Sequence, residues 1–513
     1  MQNDIFIGAG EAEAHLLGRM ANRHGLIAGA TGTGKTVTLQ TLAEGFSRMG
    51  TPVFLADIKG DLAGLSQTGE DKPRIRERVQ KIGLSDFQLA ASPVVFWDVY
   101  GELGHPLRTT ISDMGPLLLA RLLNLNDTQA GVLNIAFRVA DEQGLLLLDI
   151  KDLRALMQHV AEHARELTTT YGNVSAASVG AIQRALLTLE DAGGTYLFGE
   201  PAITLDDLLQ TDAQGHGVIN VLAAEKLFHS PQIYATLLLW LLAELFEQFP
   251  EAGDLEQPKL VFFFDEAHLL FDDAPKVLID TVEKVVRLIR SKGVGIYFIT
   301  QNPLDVPLAI LGQLGNRVQH ALRAFTPRDQ EAVRVAADTF RPKPGLNTAE
   351  AITQLGVGEA LVSCLDSKGT PNPVERVLVA PPRSRIGAIS PEERTQIIRN
   401  SNVYGVFEKA VDRESAYEIL KQRTEDALNA AQADAPTSTA RTRQQTPSRA
   451  PEEAQSGGLL DGLFGGGSSN QGRRTRESVG EAFVKSTMRA VGSRLGQEIM
   501  RGVMGAIIGK GRR

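Results

Sequence analysis

The sequence predicts an α/β fold: a mostly parallel β-sheet with an α-helical insertion and a partly disordered C-terminal extension. Short apolar runs end in glycine or aspartate at 26–29, 52–57 and 94–98, and helical spacing follows the first of them. This alternation is typical of βαβ units, whose strands lie parallel. From 111 to 191 the apolar spacing is helical almost throughout, which predicts a helical insertion or lid.

Strand-like runs return after the insertion, at Gly217–Val221, Leu260–Asp265 and Gly295–Thr300, and again at Val318–Leu322 and Glu359–Cys364. The core is therefore expected to be interrupted and then resumed. The expected regions are the first core part (1–110), the insertion (111–195), the second core part (196–382), a helical extension (383–429), a disordered linker (430–470) and a basic amphipathic tail (471–513).

Composition excludes several classes of protein. A chain of 513 residues with 43% hydrophobic residues exceeds what a single compact core needs. Its 53 basic against 61 acidic residues give a net charge of −8, which excludes coating nucleic acid through bulk positive charge but leaves room for a local basic channel. A single cysteine, Cys364, excludes a disulfide framework and a multi-cysteine metal site, and it indicates a reducing, cytoplasmic location.

No membrane span is expected from the sequence. The first residues lack the basic and apolar regions of a secretory signal. The most apolar stretch, Ala235–Phe249, contains Glu244 and Glu247 and is shorter than the roughly 20 apolar residues that a bilayer requires. This stretch is predicted to be a buried helix.

A phosphate-binding loop matches the pattern G-x-x-x-x-G-K-[ST] in full and lies between a predicted strand and a predicted helix. Its glycines let successive N–H groups and the helix N-terminus face phosphate oxygens. The lysine is expected to neutralise the β- and γ-phosphates, and the final threonine to ligate Mg²⁺. The loop residues are Gly29, Ala30, Thr31, Gly32, Thr33, Gly34, Lys35 and Thr36.

Two acids follow the apolar run that starts at Leu260. Asp265 is expected to hold Mg²⁺, and Glu266 to polarise the attacking water as general base. About thirty-five residues later a strand-like run ends in Gln301, an amide that can contact both water and phosphate. His268 is interpreted either as a link to the next helix or as a capping or packing residue.

Arginines and one short acidic turn complete the candidate site. An arginine from a neighbouring subunit can stabilise a transferring phosphoryl group, and the candidates are Arg287, Arg290, Arg317, Arg323 and Arg328. Asp57, Lys59 and Asp61 follow the second predicted strand. They are interpreted either as contacts to nucleotide-bound water or a subunit boundary, or as a Gly/Asp-rich turn.

These motifs together resemble the HerA/FtsK superfamily of DNA-pumping P-loop ATPases, most closely its bacterial HerA-like YjgR branch. The matching stretches are 29–36, 57–61, 96–101 with 105–108, 265–268, 290–296, 300–303 and 316–317, and the resemblance covers roughly residues 5–380. It implies a RecA-like core, a hexameric ring, ATP, Mg²⁺ and an arginine acting in trans. It also assigns nucleotide roles to Lys35, Thr36, Asp265, Glu266 and Gln301, with Arg317 as the trans arginine.

The activity that this resemblance implies is ATP hydrolysis driving translocation of double-stranded DNA or helicase-type DNA processing. The alternatives are a nucleotide-switched scaffold that pumps nothing, and a motor that acts on protein or RNA. A nuclease or other protein partner is also left open, and no integral membrane association is expected.

The tail from 471 to 513 has ten basic and three acidic residues, a net charge of +7 in a chain that is acidic overall. Its recurring glycines predict a helix that is weak in isolation. Contact with the DNA backbone, docking on the protein's own ring, association with a membrane surface and a dispensable solvated tail are the interpretations that the sequence allows.

Overall fold

The structure, a computed structural model, describes residues 3–271 and 276–433. Within them, twelve strands form one sheet in the order β2-β1-β12-β11-β10-β3-β9-β8-β4-β7-β5-β6. The strands are β1 (Asp4–Gly10), β2 (Glu13–Leu17), β3 (Gly25–Ala28), β4 (Val53–Asp57), β5 (Val94–Asp98), β6 (His105–Pro106), β7 (Ile219–Ala223), β8 (Leu260–Phe264), β9 (Val294–Thr300), β10 (Asn316–Gln319), β11 (Glu359–Ser363) and β12 (Glu375–Val379).

Every pairing from β10 through β3, β9, β8, β4, β7 and β5 to β6 is parallel. The pairings at the other end of the sheet, among β2, β1, β12, β11 and β10, are antiparallel. The predicted mostly parallel α/β fold is therefore confirmed, with an antiparallel flank that the sequence analysis did not anticipate. The β1–β2 hairpin and β12 build this flank.

Helices cover both faces of the sheet, as a buried parallel sheet requires. They are α1 (Lys35–Arg48), α2 (Pro73–Ile82), α3 (Ile111–Leu122), α4 (Asp127–Gln143), α5 (Ile150–Glu162), α6 (Ala164–Tyr171), α7 (Ala176–Asp191), α8 (Gly194–Leu197), α9 (Leu205–Leu208), α10 (Pro231–Gln248), α11 (His268–Phe271), α12 (Lys276–Ile289), α13 (Leu308–Leu311), α14 (Pro327–Asp338), α15 (Thr348–Gln354), α16 (Pro391–Asn400) and α17 (Ala416–Ala433). Helices α3 to α7 occupy the segment between β6 and residue 191.

Strand β8 illustrates how the sheet is buried on both faces. Its five residues are Leu260, Val261, Phe262, Phe263 and Phe264, and all are buried. The first, third and fifth belong to the apolar cluster shared with helices α3, α4, α5 and α7, and the second and fourth to the cluster shared with α1. Because successive side chains of a strand point to opposite faces, a continuous apolar run suits a central strand.

Helix α10 contains the most apolar stretch of the chain, and most of its residues are buried. It packs against α3 and α12, as expected for a core helix. Among the described residues, the structure contains no helix of the length and apolar character needed to cross a membrane.

The chain after α16 docks on the edge of the sheet at β5 and β6. Glu408 Oε1 lies 2.6 Å from His105 Nδ1, and the Arg108 guanidinium donates to the carbonyl of Phe407 at 2.8 Å. The Phe407 ring meets the Trp97 ring edge-on at 5.1 Å. The 96–101 and 105–108 stretches that carried part of the family resemblance therefore anchor the C-terminal extension of this chain.

The described residues of Met1–Lys421 form one compact unit, and a second unit begins at Gln422. The part of the second unit that is described is the end of α17. Of the predicted disordered linker only residues 430–433 are described, and the remainder, together with the predicted basic tail, lies outside the described residues.

Helix α1 is tied to the chain that follows β12. The buried Glu44 carboxylate accepts the N–H groups of Arg383 and Ser384, both at 2.8 Å, and the Ser384 hydroxyl. In two further bonds α1 is the donor: the Gln40 amide donates to the carbonyl of Arg385, and the Thr41 hydroxyl donates to the carbonyl of Ala380. The helix that starts at the phosphate-binding loop is thus held at its middle by a distant segment.

Replacement of Glu44 by alanine should lower the free energy of unfolding by about 2–3 kcal/mol, because it leaves buried N–H and O–H donors without an acceptor. Chemical denaturation monitored by circular dichroism measures the loss. The matched control is Glu77→Ala on α2, where an exposed glutamate pairs with Lys81 and the change should stay within about 0.5 kcal/mol. Equal effects of the two substitutions would contradict the proposed role of Glu44.

Candidate functional site

Four adjacent parallel strands, in the order β4-β8-β9-β3, deliver the candidate site residues to one edge of the sheet. Ala28 at the end of β3 is aligned with Thr300 at the end of β9, and Phe264 at the end of β8 with Phe298. Since the carboxyl ends of parallel strands meet at a common edge, the loops that follow these strands converge.

The phosphate-binding loop connects β3 to α1. Gly32 and Gly34 have φ values of +77° and +118°, in the region that favours glycine. Helix α1 begins at Lys35, so its free N–H groups face the loop, an arrangement suited to phosphate. The Lys35 ammonium donates to the carbonyls of Gly29 and Ala30 at 2.6 and 3.2 Å, which places it over the loop.

The acidic pair follows β8 directly. The Glu266 N–H donates to Asp265 Oδ1 at 2.9 Å, and the Glu266 backbone has φ +48°. A non-glycine residue in this region is uncommon, and such conformations are concentrated at functional sites. The Glu266 side chain is 6% exposed, and its Oε1 accepts from Lys59 Nζ at 2.6 Å.

Gln301 connects the acid to the phosphate-binding loop. Its Nε2 lies 3.4 and 3.3 Å from the two carboxylate oxygens of Glu266, and its Oε1 accepts from the Thr31 hydroxyl at 3.0 Å. His268 Nδ1 lies 3.5 Å from Glu266 Oε2. The structure thus brings together Gln301, Glu266 and the loop, which are far apart in sequence.

Burial and neighbouring charges shift the pKa values of the site in different directions. Burial, reinforced by Glu266, raises the pKa of Asp265 to about 6. Burial also acts to raise the pKa of Glu266, but the hydrogen bond and charge of Lys59 outweigh it, so the pKa lies below the ordinary value. Burial lowers the pKa of Lys35, against the opposing charges of the two acids. Glu266 is therefore ionised at neutral pH, and burial makes the ionised form of Asp265 costly unless a cation lies nearby.

Thr36 and Asp265 fit the requirements of Mg²⁺, which prefers hydroxyl, carboxylate, water and phosphate oxygens. Among the described residues the Thr36 hydroxyl makes no hydrogen bond, and no cation pairs directly with the Asp265 carboxylate. The elevated pKa of Asp265 has burial as its first cause, and a metal ion would offset the same desolvation. The donor set is thus suitable for a metal held jointly with a nucleotide.

His320 is a residue near the loop that the sequence analysis missed. It lies directly after β10, the strand beside β3, and it is fully buried. Its Nε2 is 2.8 Å from the Thr38 hydroxyl in α1, and its Nδ1 is 2.9 Å from the carbonyl of Glu359. A polar residue at the carboxyl end of a strand was the signal that could have found it.

A second loop packs on the phosphate-binding loop. The Gly358 N–H donates to the carbonyl of Thr33 at 2.9 Å, and Arg78 from α2 donates to the carbonyl of Gly358 at 2.7 Å. A Cβ at Gly34 would lie 3.3 Å from the Gly358 Cα. Close approach of these two backbones explains the glycines at both positions.

Arg317 lies in β10, where its guanidinium donates to carbonyls of its own chain. Nε donates to Leu314 and Nη2 to Leu311, both at 3.0 Å, and Nη1 to Thr339 at 3.2 Å. The structure does not bring Arg317 into contact with the loop or the acidic pair. Its expected action on a neighbouring subunit stays a prediction, as it does for the exposed Arg323 and the other candidates.

The short turn after β4 combines the two interpretations that the sequence allowed. The Asp57 carboxylate accepts the N–H groups of Gly60 and Leu62 at 2.8 and 3.0 Å, which is a turn-stabilising role. Burial, with the charge of Asp61, raises the pKa of Asp57 to about 7. Lys59 leaves the same turn to reach Glu266, so this one lysine joins the turn to the candidate site.

Comparison with known proteins gives one family and a set of similar structures. The family model described as "Helicase HerA-like C-terminal" matches residues 3–513. No curated protein matches the chain. The bacterial conjugative coupling protein TrwBdeltaN70 is similar in structure at 15% identity, covering 75% of this chain and 91% of that one, with a TM-score of 0.45. VirB4 of Thermoanaerobacter pseudethanolicus is similar in structure at 17% identity, covering 77% of this chain and 98% of that one, with a TM-score of 0.46.

Replacement of His320 by glutamine should reduce the loss of stability on acidification. Burial first, and the charge of Lys35 in addition, lower the pKa of His320 from 6.5 to about 4. Between these values the unfolded chain binds a proton that the native state does not, so native stability is full above pH 6.5 and falls as the pH drops towards 4.

Urea denaturation midpoints at pH 7.5 and pH 5 measure the effect, and the midpoint of the parent should fall further than that of His320→Gln. A second histidine, His24, is unchanged in the variant, and burial lowers its pKa to about 4 as well. The variant should therefore keep part of the pH dependence of stability. Equal falls for parent and variant would contradict the assignment.

Proposed function

The chain belongs to the helicase HerA-like C-terminal family, and from this premise we propose that it is a Mg²⁺-dependent ATPase whose hydrolysis drives translocation along double-stranded DNA. One observation supports hydrolysis above the others: Gln301 contacts both Glu266 and Thr31 of the phosphate-binding loop. A base, a polar amide and a phosphate loop in contact form the arrangement that attack of water on a terminal phosphate requires.

Binding of the triphosphate is assigned to the loop between β3 and α1. Its N–H groups and the N-terminus of α1 attract phosphate oxygens, and Lys35, now donating to two loop carbonyls, is placed to transfer its hydrogen bonds to the β- and γ-phosphates. Mg²⁺, held by Thr36 and Asp265, would neutralise charge on the phosphate oxygens.

The attacking water is assigned to Glu266 and Gln301. The pKa of Glu266 lies below its ordinary value, so the carboxylate is ionised at neutral pH, which is the form that can accept a proton from water when no competing donor engages it. Gln301 has both a donor and an acceptor, and its position beside Glu266 allows it to orient the same water. The buried surroundings of Glu266 strengthen these interactions by excluding bulk solvent.

We propose in addition a hexameric ring and an arginine acting in trans, which membership of this family supports. Arg317 can serve a neighbouring subunit only by giving up its three bonds to carbonyls. Arg323 is exposed and needs no such rearrangement. Mixing active subunits with subunits that lack one of these two arginines would test which of them acts on a neighbour.

The single buried cysteine, Cys364, is consistent with the expected cytoplasmic location.

Lys35→Ala and Glu266→Gln should separate nucleotide binding from hydrolysis. Lys35→Ala should weaken ATP binding at least tenfold, because the ammonium at the phosphates is lost. Glu266→Gln should retain ATP binding and reduce the hydrolysis rate by about 10²–10⁴-fold, the usual effect of removing a general base. Fluorescent-nucleotide titration and phosphate release measure the two quantities.

Lys81→Ala is the matched control, since Lys81 is an exposed lysine that pairs with Glu77 on α2. It should behave like the parent in both assays. Unchanged hydrolysis in Glu266→Gln would remove Glu266 as the base.

Double-stranded DNA should stimulate the ATPase rate, and added salt should reduce the stimulation, because salt screens contacts with the phosphate backbone. Phosphate release with and without duplex DNA, at 50 and 200 mM salt, measures this. Heparin, a polyanion that is not a nucleic acid, serves as the control for a non-specific effect of negative charge. Hydrolysis indifferent to DNA, together with no DNA binding at low salt, would favour the nucleotide-switched scaffold instead.

A further inference from the structure

Lys59 is held at its backbone while its side chain is partly free. The Asp57 carboxylate accepts two N–H groups of the turn, and Gly60 has φ +72°, so the path of the chain around Lys59 is defined. The Lys59 side chain is 49% exposed. A four-carbon stem of this kind can move its ammonium by several ångströms without moving the backbone.

Glu266, the partner of Lys59, has the opposite character. Its side chain is 6% exposed, its backbone has φ +48°, and its N–H donates to Asp265. Since the surroundings over-determine this strained conformation, Glu266 is the stationary member of the pair and Lys59 is the movable one.

Both carboxylate oxygens of Glu266, one of which must accept the proton of the attacking water, already have partners. Lys59 Nζ lies 2.6 Å from Glu266 Oε1, Gln301 Nε2 lies 3.4 and 3.3 Å from the two carboxylate oxygens, and His268 lies 3.5 Å from Oε2. A carboxylate whose oxygens are all engaged, one of them by an ammonium, is a poor acceptor for a proton from water.

Lys59 is also within reach of the charges that surround the phosphates. Its charge interacts with those of Asp265 and Lys35, the residues assigned to the metal and to the phosphates. A terminal phosphate bound over Lys35 would bring a second acceptor, with more negative charge than one carboxylate, close to the Lys59 ammonium.

We propose that Lys59 exchanges partners, leaving Glu266 for the terminal phosphate when a nucleoside triphosphate binds and returning when that phosphate departs. This rests on the proposed function and extends it. Lys59 restrains the base until a triphosphate is present, and it discriminates triphosphate from diphosphate. A permanent Lys59–Glu266 ion pair, which only supports the fold, is the alternative that the experiment must exclude.

The test compares the affinities of a slowly hydrolysed ATP analogue and of ADP, measured by competition with a fluorescent nucleotide in Mg²⁺ on the full chain. Lys59→Met, which keeps the length of the side chain and removes the charge, should reduce the preference for the analogue over ADP about tenfold, the loss of roughly one charge-assisted contact. Lys59→Arg should keep the preference within about threefold. The exposed Lys81→Met is the matched control and should match the parent.

Glu266→Gln completes the cycle. It removes the acceptor that competes with the phosphate for Lys59. As a single change it should therefore strengthen analogue binding relative to ADP. Combined with Lys59→Met it should have no such effect, because the lysine that changes partners is gone. Equal changes in analogue and ADP affinity in Lys59→Met, or additive effects in the double variant, would overturn the exchange and leave a permanent ion pair.

The outcomes distinguish this inference from the proposed function. ADP affinity in each variant reports whether the phosphate site is folded. Loss of nucleotide binding by the parent itself would refute the proposed function, whereas normal parental binding with an unchanged preference in Lys59→Met would refute the partner exchange alone.

Discussion

Parallel pairing of four neighbouring strands is the constraint on which the candidate site depends. Because β4, β8, β9 and β3 run in the same direction, the chain leaves all four at one edge of the sheet. Lys59, Glu266, Gln301 and the phosphate-binding loop each follow one of these strands. Apolar clusters bury both faces of the sheet, so the ends of the strands cannot shift independently. The contacts among the four segments are therefore set by the core beneath them.

Two acidic and two basic side chains lie together at this edge of the sheet. Two adjacent acids, Asp265 and Glu266, lie beside two lysines, Lys35 and Lys59, and only one pair, Lys59 with Glu266, is in direct contact. Lys35 instead donates to carbonyls of its own loop. A buried carboxylate without a cation is costly, which suits Asp265 to a metal ion. The arrangement thus contains groups whose partners can change when phosphate and metal are added.

The phosphate-binding loop is also built into the rest of the chain. Helix α1 is held through Glu44 by the segment after β12. The loop packs against Gly358, and His320 links Thr38 of α1 to the carbonyl of Glu359. The chain that follows passes over β5 and β6, where Glu408 contacts His105. Continuous packing therefore joins the loop to the C-terminal extension, and the antiparallel flank provides the strands from which these segments start.

The sequence by itself determined the features that depend on neighbours along the chain. A complete glycine-rich loop between strand and helix, two acids and an amide at the ends of apolar runs, and the alternation that predicts a mostly parallel sheet are all local patterns. Only the tertiary structure decided which of these side chains touch. It paired Lys59 with Glu266, placed His320 under the loop, and directed Arg317 to three carbonyls. The physical reason is that such contacts depend on the order of strands across the sheet, which long-range packing selects and local spacing does not encode.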